Sequence, residues 1–306
     1  MAEVPLAKDQ LGGDLLGDGG DNRLIRTRHG VMLVNRHDSI VGRSLDYYGE
    51  YFEREVDLFR QFLRPGDVVV DVGANIGAHT VPLARMVGPS GRVLAFEPVR
   101  LNHQLLCANV ALNSLTWVDA VLGALGRRDE TVMIDDVAMT AEGNYGALAL
   151  ADMPGNRPVP VRRLDGLFDL PRLRFIKIDV EGMEADVLDG AREVLARFRP
   201  ALYVENDRLD KSRELLLLLQ ELDYDCYWFL ASFHNPRNAA GKTEPMFSTG
   251  FVDDGSRIHA LGMGINLLCL PKAAKAQLAG FAPVLSVDEH PCHRASNPRF
   301  TGGTRA

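Results

Sequence analysis

Acidic side chains follow two apolar segments in the second half of the chain. Asp179 comes directly after one segment, and Glu205 and Asn206 come directly after the next. Carboxylates that share a cleft raise one another's pKa unless a cation neutralises them. The pattern therefore predicts either a carboxylate that acts as a base or a divalent metal site with Asp179, Glu205 and Asn206 as its ligands. Oxygen ligands of this kind favour Mg²⁺ or Ca²⁺.

Two further side chains near these segments are candidates for a catalytic role, and each also has a non-catalytic interpretation. His234 lies in a loop between aromatic segments, where it is predicted to act as a base or acceptor ligand, and a plain surface position is the alternative. Glu181 opens a predicted helix, whose positive end favours a carboxylate. Helix stabilisation and a catalytic role therefore both remain open for Glu181.

A glycine-rich segment, VVVDVGANIG at residues 68–77, joins an apolar run to a predicted helix. Glycines let the backbone approach a ligand, and a helix N-terminus presents free N–H groups to an anionic group. The spacing matches neither the G-x-G-x-x-G nor the G-x-x-x-x-G-K-[ST] phosphate motif, so pyrophosphate binding is the weaker interpretation. Glu97 ends the next apolar run, where it can accept both hydroxyls of a ribose. The combination fits a nucleoside that carries an amino-acid tail.

Apolar runs alternate with segments of helical spacing from Asp67 onward, which predicts a doubly wound α/β fold with a mostly parallel sheet. In such sheets ligands bind at the carboxyl ends of the strands. The predicted strands cover 68–72, 92–96, 117–122, 175–179 and 201–204, and the predicted helices cover 78–86, 101–113, 184–198 and 211–222. A hairpin at 24–35 and a helix at 51–63 precede them. We therefore expect a flexible tail at 1–22, an N-terminal lid or extension at 23–66, the main domain at 67–287 and a second flexible tail at 288–306.

Three segments together resemble the FkbM-type methyltransferases, a branch of the class I S-adenosylmethionine-dependent enzymes. They are DVVVDVGANIGAHT, VLAFEP and FIKIDVEGMEADVLDGA, and the resemblance runs from about Leu24 to Pro271. It implies a seven-stranded, Rossmann-like sheet and S-adenosylmethionine as the methyl donor. It also implies donor contacts at the methionine-end loop, the ribose and the adenine border, which are respectively Asp71, Gly73, Asn75 and Gly77 with Thr80 nearby, then Glu97, then Gly123 and Ala124.

The same resemblance implies O-methylation of a hydroxyl on a small-molecule or carbohydrate-like acceptor. N-methylation on the same fold is one alternative, and a noncatalytic module that binds S-adenosylmethionine or a glycan is another. The presence of both Asp179 and Glu205 favours catalysis over the binding module, because methyl transfer from a sulfonium to a hydroxyl needs a group that removes the proton.

Charge and hydropathy exclude several classes of partner. The formal net charge is -7, which argues against nucleic acid as a partner because phosphate binding normally requires a basic face. No apolar run reaches the roughly 18 to 20 residues that cross a bilayer, and the N-terminus lacks the pattern of a signal peptide. We therefore expect a cytoplasmic protein without a membrane span. The four cysteines form no C-x-x-C pair, which argues against a zinc knuckle or a redox motif.

Overall fold

A computed structural model describes residues 20–274, 278 and 280–301. In chain order its strands are β1 (Asn22–Thr27), β2 (Gly30–Asn35), β3 (Val68–Val72), β4 (Arg92–Glu97), β5 (Val118–Leu122), β6 (Ala124–Leu125), β7 (Glu130–Ile134), β8 (Arg157–Arg162), β9 (Phe175–Ile178), β10 (Ala201–Glu205), β11 (Tyr224–Ser232), β12 (Gly250–Asp253), β13 (Ile258–Leu261), β14 (Met263–Pro271) and β15 (Ala282–Pro283). Its helices are α1 (Val41–Tyr48), α2 (Glu53–Phe62), α3 (Thr80–Val87), α4 (Arg100–Leu112), α5 (Glu184–Asp189), α6 (Arg192–Phe198), α7 (Leu209–Glu221) and α8 (Pro298–Thr301).

The central sheet has eight strands in the order β15-β11-β14-β10-β9-β3-β4-β5. The five strands from β10 to β5 are parallel to one another. β14 runs antiparallel to both of its neighbours, β10 and β11, and β15 is a short edge strand. The predicted doubly wound, mostly parallel α/β sheet is confirmed, with β15 as one strand more than the seven predicted.

Helices cover both faces of this sheet, which is why its parallel strands are largely apolar. Every residue of β3 is buried. On one face, α2, α3 and α4 pack on alternate strand residues such as Val69 and Phe175. On the other face, α5, α6 and α7 pack on the residues between them, such as Val70 and Ile176. The strand pattern therefore assigns each side chain to one face according to its position.

The helix predicted over 184–198 is instead two helices, α5 and α6, which are interrupted at Gly190. A Cβ at Gly190 would lie 1.9 Å from the carbonyl oxygen of Gly126. The Gly190 carbonyl also accepts a hydrogen bond from the backbone N–H of Asp165. This backbone contact takes the chain out of the helix, and hydrophobic periodicity gives no sign of it.

Residues 288–301 do not form the expected flexible tail, because they pack against the edge of the central sheet. Trp228 Nε1 donates to Glu289 Oε2 over 3.3 Å, and His290 Nε2 lies 2.8 Å from the backbone oxygen of Asn206. The Phe300 ring meets Trp228 edge-on at 5.9 Å. Aromatic and hydrogen-bonding partners thus bury a segment whose composition alone is typical of a loop. The predicted N-terminal tail lies outside the described residues, apart from 20–22.

Within the described ranges, none of the helices combines the length and apolar character needed to span a lipid bilayer.

Phe300→Ala tests the packing of the C-terminal segment. Phe300 is 8% exposed, so we expect its truncation to lower the free energy of unfolding by about 3 kcal/mol. Leu285, in the preceding loop, is 72% exposed, and Leu285→Ala serves as the control with an expected change below about 0.5 kcal/mol. Guanidinium denaturation of both variants measures the difference, and equal midpoints would contradict the packed position of Phe300.

Candidate active site

A cavity of about 360 Å³ lies at the carboxyl ends of the parallel strands. Each of the five strands contributes a residue from its end: Gly73, Glu97, Gly123, Asp179 and Glu205. This volume is within the range of small-molecule pockets, and the position is the one expected for a doubly wound sheet. The two groups of residues that the sequence assigns to separate sites therefore line one cavity.

The glycine-rich loop after β3 holds its shape through contacts with the neighbouring strands. Gly73 has a φ of +76°, and a Cβ there would lie 1.7 Å from the backbone oxygen of Asp179. The backbone N–H groups of Gly73 and Ala74 both donate to the carbonyl of Phe96. Glycine is thus required at 73 by the close approach of β9, in addition to any ligand that the loop faces.

Glu97 ends β4 and is fixed by two backbone N–H groups. Its Oε2 accepts from the N–H of Asn75 over 2.8 Å, and its Oε1 accepts from the N–H of Val99 over 2.9 Å. The side chain is buried, and burial raises the pKa of Glu97 to about 7 against the opposing effect of these hydrogen bonds. A carboxylate oxygen has more than one acceptor site, so Glu97 can still accept from a ligand.

Three residues predicted to contact the donor lie behind the cavity wall. Asp71 is fully buried, and its Oδ2 accepts from Thr80 Oγ1 over 2.7 Å. Gly77 packs so closely on α4 that an added Cβ would lie 2.9 Å from Leu106. None of the three is among the residues that line the cavity. They support the loop, whereas Gly73, Asn75, Glu97, Gly123 and Ala124 face the cavity.

Three carboxylates meet at the ends of β9 and β10. One oxygen from each of Asp179, Glu181 and Glu205 lies within 4.8 Å of the others. Burial raises the pKa of Glu205 well above its usual value, and the charges of Asp179 and Asp207 raise it further. Glu205 Oε2 is buried and has no hydrogen-bond partner among the described residues. It is therefore a poorly compensated acceptor at the cavity wall.

Two cations face this cluster from opposite sides. Lys177 Nζ lies 3.1 Å from Asp179 Oδ2 and 3.5 Å from Asp71 Oδ1, and Arg208 Nη2 lies 2.6 Å from Glu181 Oε2. Burial alone would lower the pKa of Lys177, but the two aspartates raise it above its usual value. Burial, then Asp179, raises the pKa of Glu181 to about 7, although Arg208 opposes the shift.

Lys177 was not predicted as a site residue, although the sequence carries a signal for it. It stands between apolar residues inside β9, in a strand that is buried on both faces. A lysine at such a position needs a carboxylate partner. The carboxylates of Asp71 and Asp179 are in place to provide that compensation.

The structure corrects the predictions for Asn206 and His234. Successive residues at a strand end point to opposite faces of a sheet, so Asn206 faces away from Glu205. The Asn206 side chain donates to Ser212 Oγ over 3.0 Å. Glu181 occupies the position in the carboxylate cluster that the sequence assigned to Asn206. His234 does not line the cavity. Its Nε2 lies 3.4 Å from the carbonyl oxygen of Lys242 instead.

The model of the methyltransferase FkbM domain matches residues 71–226, which is about half of the chain and includes the glycine-rich loop, Glu97 and the carboxylate cluster. The chain belongs to the FkbM methyltransferase family. Among curated relatives, "Methyltransferase 1" of Beauveria bassiana (strain ARSEF 2860) is 32% identical over 145 residues, which are 40% of this chain and 57% of that protein. "Methyltransferase sdnD" of Sordaria araneosa is 29% identical over 157 residues, 41% of this chain and 60% of that one. The matched region thus spans less than two thirds of either relative.

Solved structures of low identity resemble this FkbM family member. A methyltransferase FkbM from Methylobacillus flagellatus KT has a TM-score of 0.41 and 20% identity, with 70% of this chain and 50% of that chain covered. M. jannaschii TYW2 in complex with AdoMet has a TM-score of 0.42 and 14% identity, with 83% and 86% covered.

Lys177→Met tests whether the buried lysine compensates Asp71 and Asp179. We expect the free energy of unfolding to fall by about 3 kcal/mol, the scale for a buried ion pair that loses one partner. The loss should be larger at pH 8 than at pH 5.5. Uncompensated buried carboxylates have a raised pKa in the folded state, so the folded protein binds more protons than the unfolded chain and its stability falls as the pH rises.

Lys272→Met is the matched control, because Lys272 is 46% exposed and pairs at 3.8 Å with the exposed Asp223. Its stability should change by less than about 0.5 kcal/mol. Urea denaturation at the two pH values measures both variants. A loss for Lys177→Met that is as small as the control, or equal at both pH values, would contradict the compensating role.

Proposed function

We propose that this protein is an S-adenosylmethionine-dependent O-methyltransferase that acts on a hydroxyl of a small-molecule or carbohydrate-like acceptor. The observation that carries the proposal is the position of Glu205. Glu205 lines the same cavity as the glycine-rich loop and Glu97, and its Oε2 is buried without a hydrogen-bond partner among the described residues. Family membership supports the donor, and the poorly compensated carboxylate supports an acceptor that must lose a proton.

The donor end of the cavity fits a nucleoside with an amino-acid tail. The loop at Gly73 and Asn75 leaves room for the tail, and Glu97 can accept the two ribose hydroxyls. The cavity is also lined by Gly123, Ala124 and Leu125. A flat ring can pack against these small or apolar residues. The lone pairs of Glu97 that its backbone donors leave free are what a diol requires.

When bound, the donor supplies a sulfonium methyl group, which moves to the acceptor oxygen as the S–CH₃ bond breaks and the O–CH₃ bond forms. The chain's own residues hold the acceptor in line and remove its proton. Glu205 accepts the hydroxyl proton, because its raised pKa makes it the stronger base of the cluster. Lys177 fixes Asp179 beside it, and the charge of Asp179 increases the basicity of Glu205.

A divalent cation at Asp179, Glu181 and Glu205 is the alternative role for the same cluster. Three carboxylate oxygens within 4.8 Å of one another suit Mg²⁺ or Ca²⁺. In that case the ion would lower the pKa of the acceptor hydroxyl. A chelator separates the two roles, because a base in Glu205 predicts full activity in EDTA, whereas the metal role predicts inactivation that Mg²⁺ reverses.

The pH dependence of donor affinity tests Glu97. The pKa of about 7 in the donor-free protein means that Glu97 is increasingly protonated below that pH, whereas ribose hydroxyls need the carboxylate. We expect the Kd for S-adenosylhomocysteine to rise roughly fivefold to tenfold between pH 7.5 and 6. Glu97→Gln should weaken binding by about 1 to 3 kcal/mol and remove this slope. Calorimetry that finds the same pH slope in the folded variant would exclude Glu97 as the ribose ligand.

Turnover of two variants tests the base. Glu205→Gln should lose roughly 10²- to 10⁴-fold in kcat and keep its donor affinity. Asp179→Asn removes a charge that raises the pKa of Glu205, so the acid limb of its kcat profile should move to lower pH. If Asp179 only caps the following helix, the same variant loses about 0.5 to 2 kcal/mol of stability and keeps its kcat. Melting and turnover measured on one sample, with a panel of hydroxyl acceptors, decide between them.

A further inference from the structure

A second group of polar side chains lines the cavity and has no part in the transfer described above. It consists of Glu55 on α2, His79 immediately before α3, and Asn266 on β14. Asn266 Nδ2 donates to Glu55 Oε1 over 3.3 Å. His79 Nε2 lies 3.2 Å from Glu55 Oε2, at an angle that makes no hydrogen bond. The three side chains are 3%, 5% and 6% exposed, respectively for Glu55, His79 and Asn266.

Gly264 lies in close contact with this group at the cavity wall. A Cβ at Gly264 would lie 2.9 Å from Asn266 Nδ2 and 3.5 Å from Glu55 Oε1. Its φ is outside the left-handed region, so the backbone does not require glycine here. Glycine at this position therefore lets the Asn266 and Glu55 side chains pack against the backbone while they line the cavity. His79 Nε2 is buried without a hydrogen-bond partner among the described residues. An unpartnered buried polar group is costly, and a ligand hydroxyl in the cavity would supply its partner.

Asn266 connects the group to the proposed base. It is the direct partner of Glu205 across the antiparallel pair of β10 and β14. Directly opposed residues share a face and have Cβ atoms about 5 Å apart. One bound molecule can therefore contact Glu205 through the group to be methylated and Glu55 through a neighbouring group.

Aromatic rings form the wall beside these polar groups. Phe52 and Phe233 stack with centroids 4.1 Å apart, and Tyr51 packs against both rings. All three line the cavity. A flat apolar wall beside a few convergent polar groups is the arrangement that orients a ring compound.

The charges at this end of the cavity disfavour an anion. Besides Glu97, five lining side chains are carboxylates, namely Glu55, Asp179, Glu181, Glu205 and Asp207, against the two cations Lys177 and Arg208. Both cations are already paired with carboxylates. A phosphate or carboxylate on the acceptor would thus meet like charges without a free partner.

From these contacts we propose that Glu55, His79 and Asn266 form a subsite for a second hydroxyl of an uncharged, polyhydroxylated ring acceptor. The proposal rests on the methyl transfer proposed above and adds what sets its acceptor preference. Glu55 accepts from the second hydroxyl, His79 Nε2 forms a further hydrogen bond to it, and the ring lies along Phe52 and Phe233. The hydroxyl held near Glu205 is the one that receives the methyl group and gives its proton to that carboxylate.

Direct binding of neutral and anionic sugars tests the subsite. Saturation-transfer NMR and titration with S-adenosylhomocysteine present would compare the methyl pyranosides of glucose, galactose and mannose with glucose 6-phosphate and glucuronate. We expect at least one neutral pyranoside to bind and both anions to bind more weakly. Glu55→Gln should weaken the bound pyranoside by about tenfold, the effect of losing a charged hydrogen bond. Gly264→Ala should weaken it to a similar extent, because the added methyl group displaces the Asn266 and Glu55 side chains.

Glu53→Gln is the matched control, because Glu53 lies on the same helix, is 4% exposed and pairs with His29 away from the cavity. It should leave pyranoside binding unchanged. Tighter binding of either anion, equal binding by Glu55→Gln and wild type, or no bound pyranoside in a protein that binds S-adenosylhomocysteine would overturn the subsite. Failure of the wild type to bind S-adenosylhomocysteine would instead contradict the proposed function, so that titration comes first. Melting curves and S-adenosylhomocysteine affinity, both expected to match wild type, identify any variant that has not folded.

Discussion

The compensation of one buried lysine by two aspartates is the constraint on which the site depends. Lys177 lies in the middle of the sheet, with Asp71 on the neighbouring strand and Asp179 at the end of its own strand. Asp71 in turn holds Thr80 at the start of α3, and Lys177 Nζ donates to the carbonyl of Gly73. The glycine-rich loop and the carboxylate cluster both contact the same ammonium group, so a shift of either would disturb the compensation of a buried charge.

The alternation of side chains along the strands explains why so many polar groups share this cavity. Across the adjacent strands β3 and β9, Asp71 pairs with Lys177. Lys177 pairs in turn with a residue of β10 that lies two positions before Glu205. Glu205 pairs with Asn266 on β14. These four residues therefore occupy one face of the sheet. The helices α2 and α3 pack on this face, where α2 contributes Glu55 and the residue before α3 is His79. The core of the opposite face is apolar. The polar groups of the site therefore lie on one face, and packing on the other face contributes hydrophobic burial.

Periodicity was sufficient to predict the sheet, and it placed the glycine-rich loop and Glu97 at strand ends, because these features depend on residues adjacent in sequence. Errors arose where a long-range contact decides the outcome. Asn206 follows Glu205 directly, yet the strand pleat points its side chain toward Ser212. Glu181 has a φ of +56°, a left-handed conformation that reverses the chain direction after β9 beside the cluster. The C-terminal segment packs against Trp228, which lies some 70 residues earlier in the chain. No local sequence pattern predicts this contact.

Part of the cavity wall comes from segments of the chain outside the region that matches the family model. Residues 71–226 contain the donor loop and the proposed base, whereas Phe52 and Glu55 precede that region and Phe233 and Asn266 follow it. Substitutions in these flanking segments can alter the shape and polarity of the proposed acceptor end and leave the proposed donor-binding residues unchanged. The chemistry of the proposed transfer and part of the space for its acceptor thus depend on different segments of the chain.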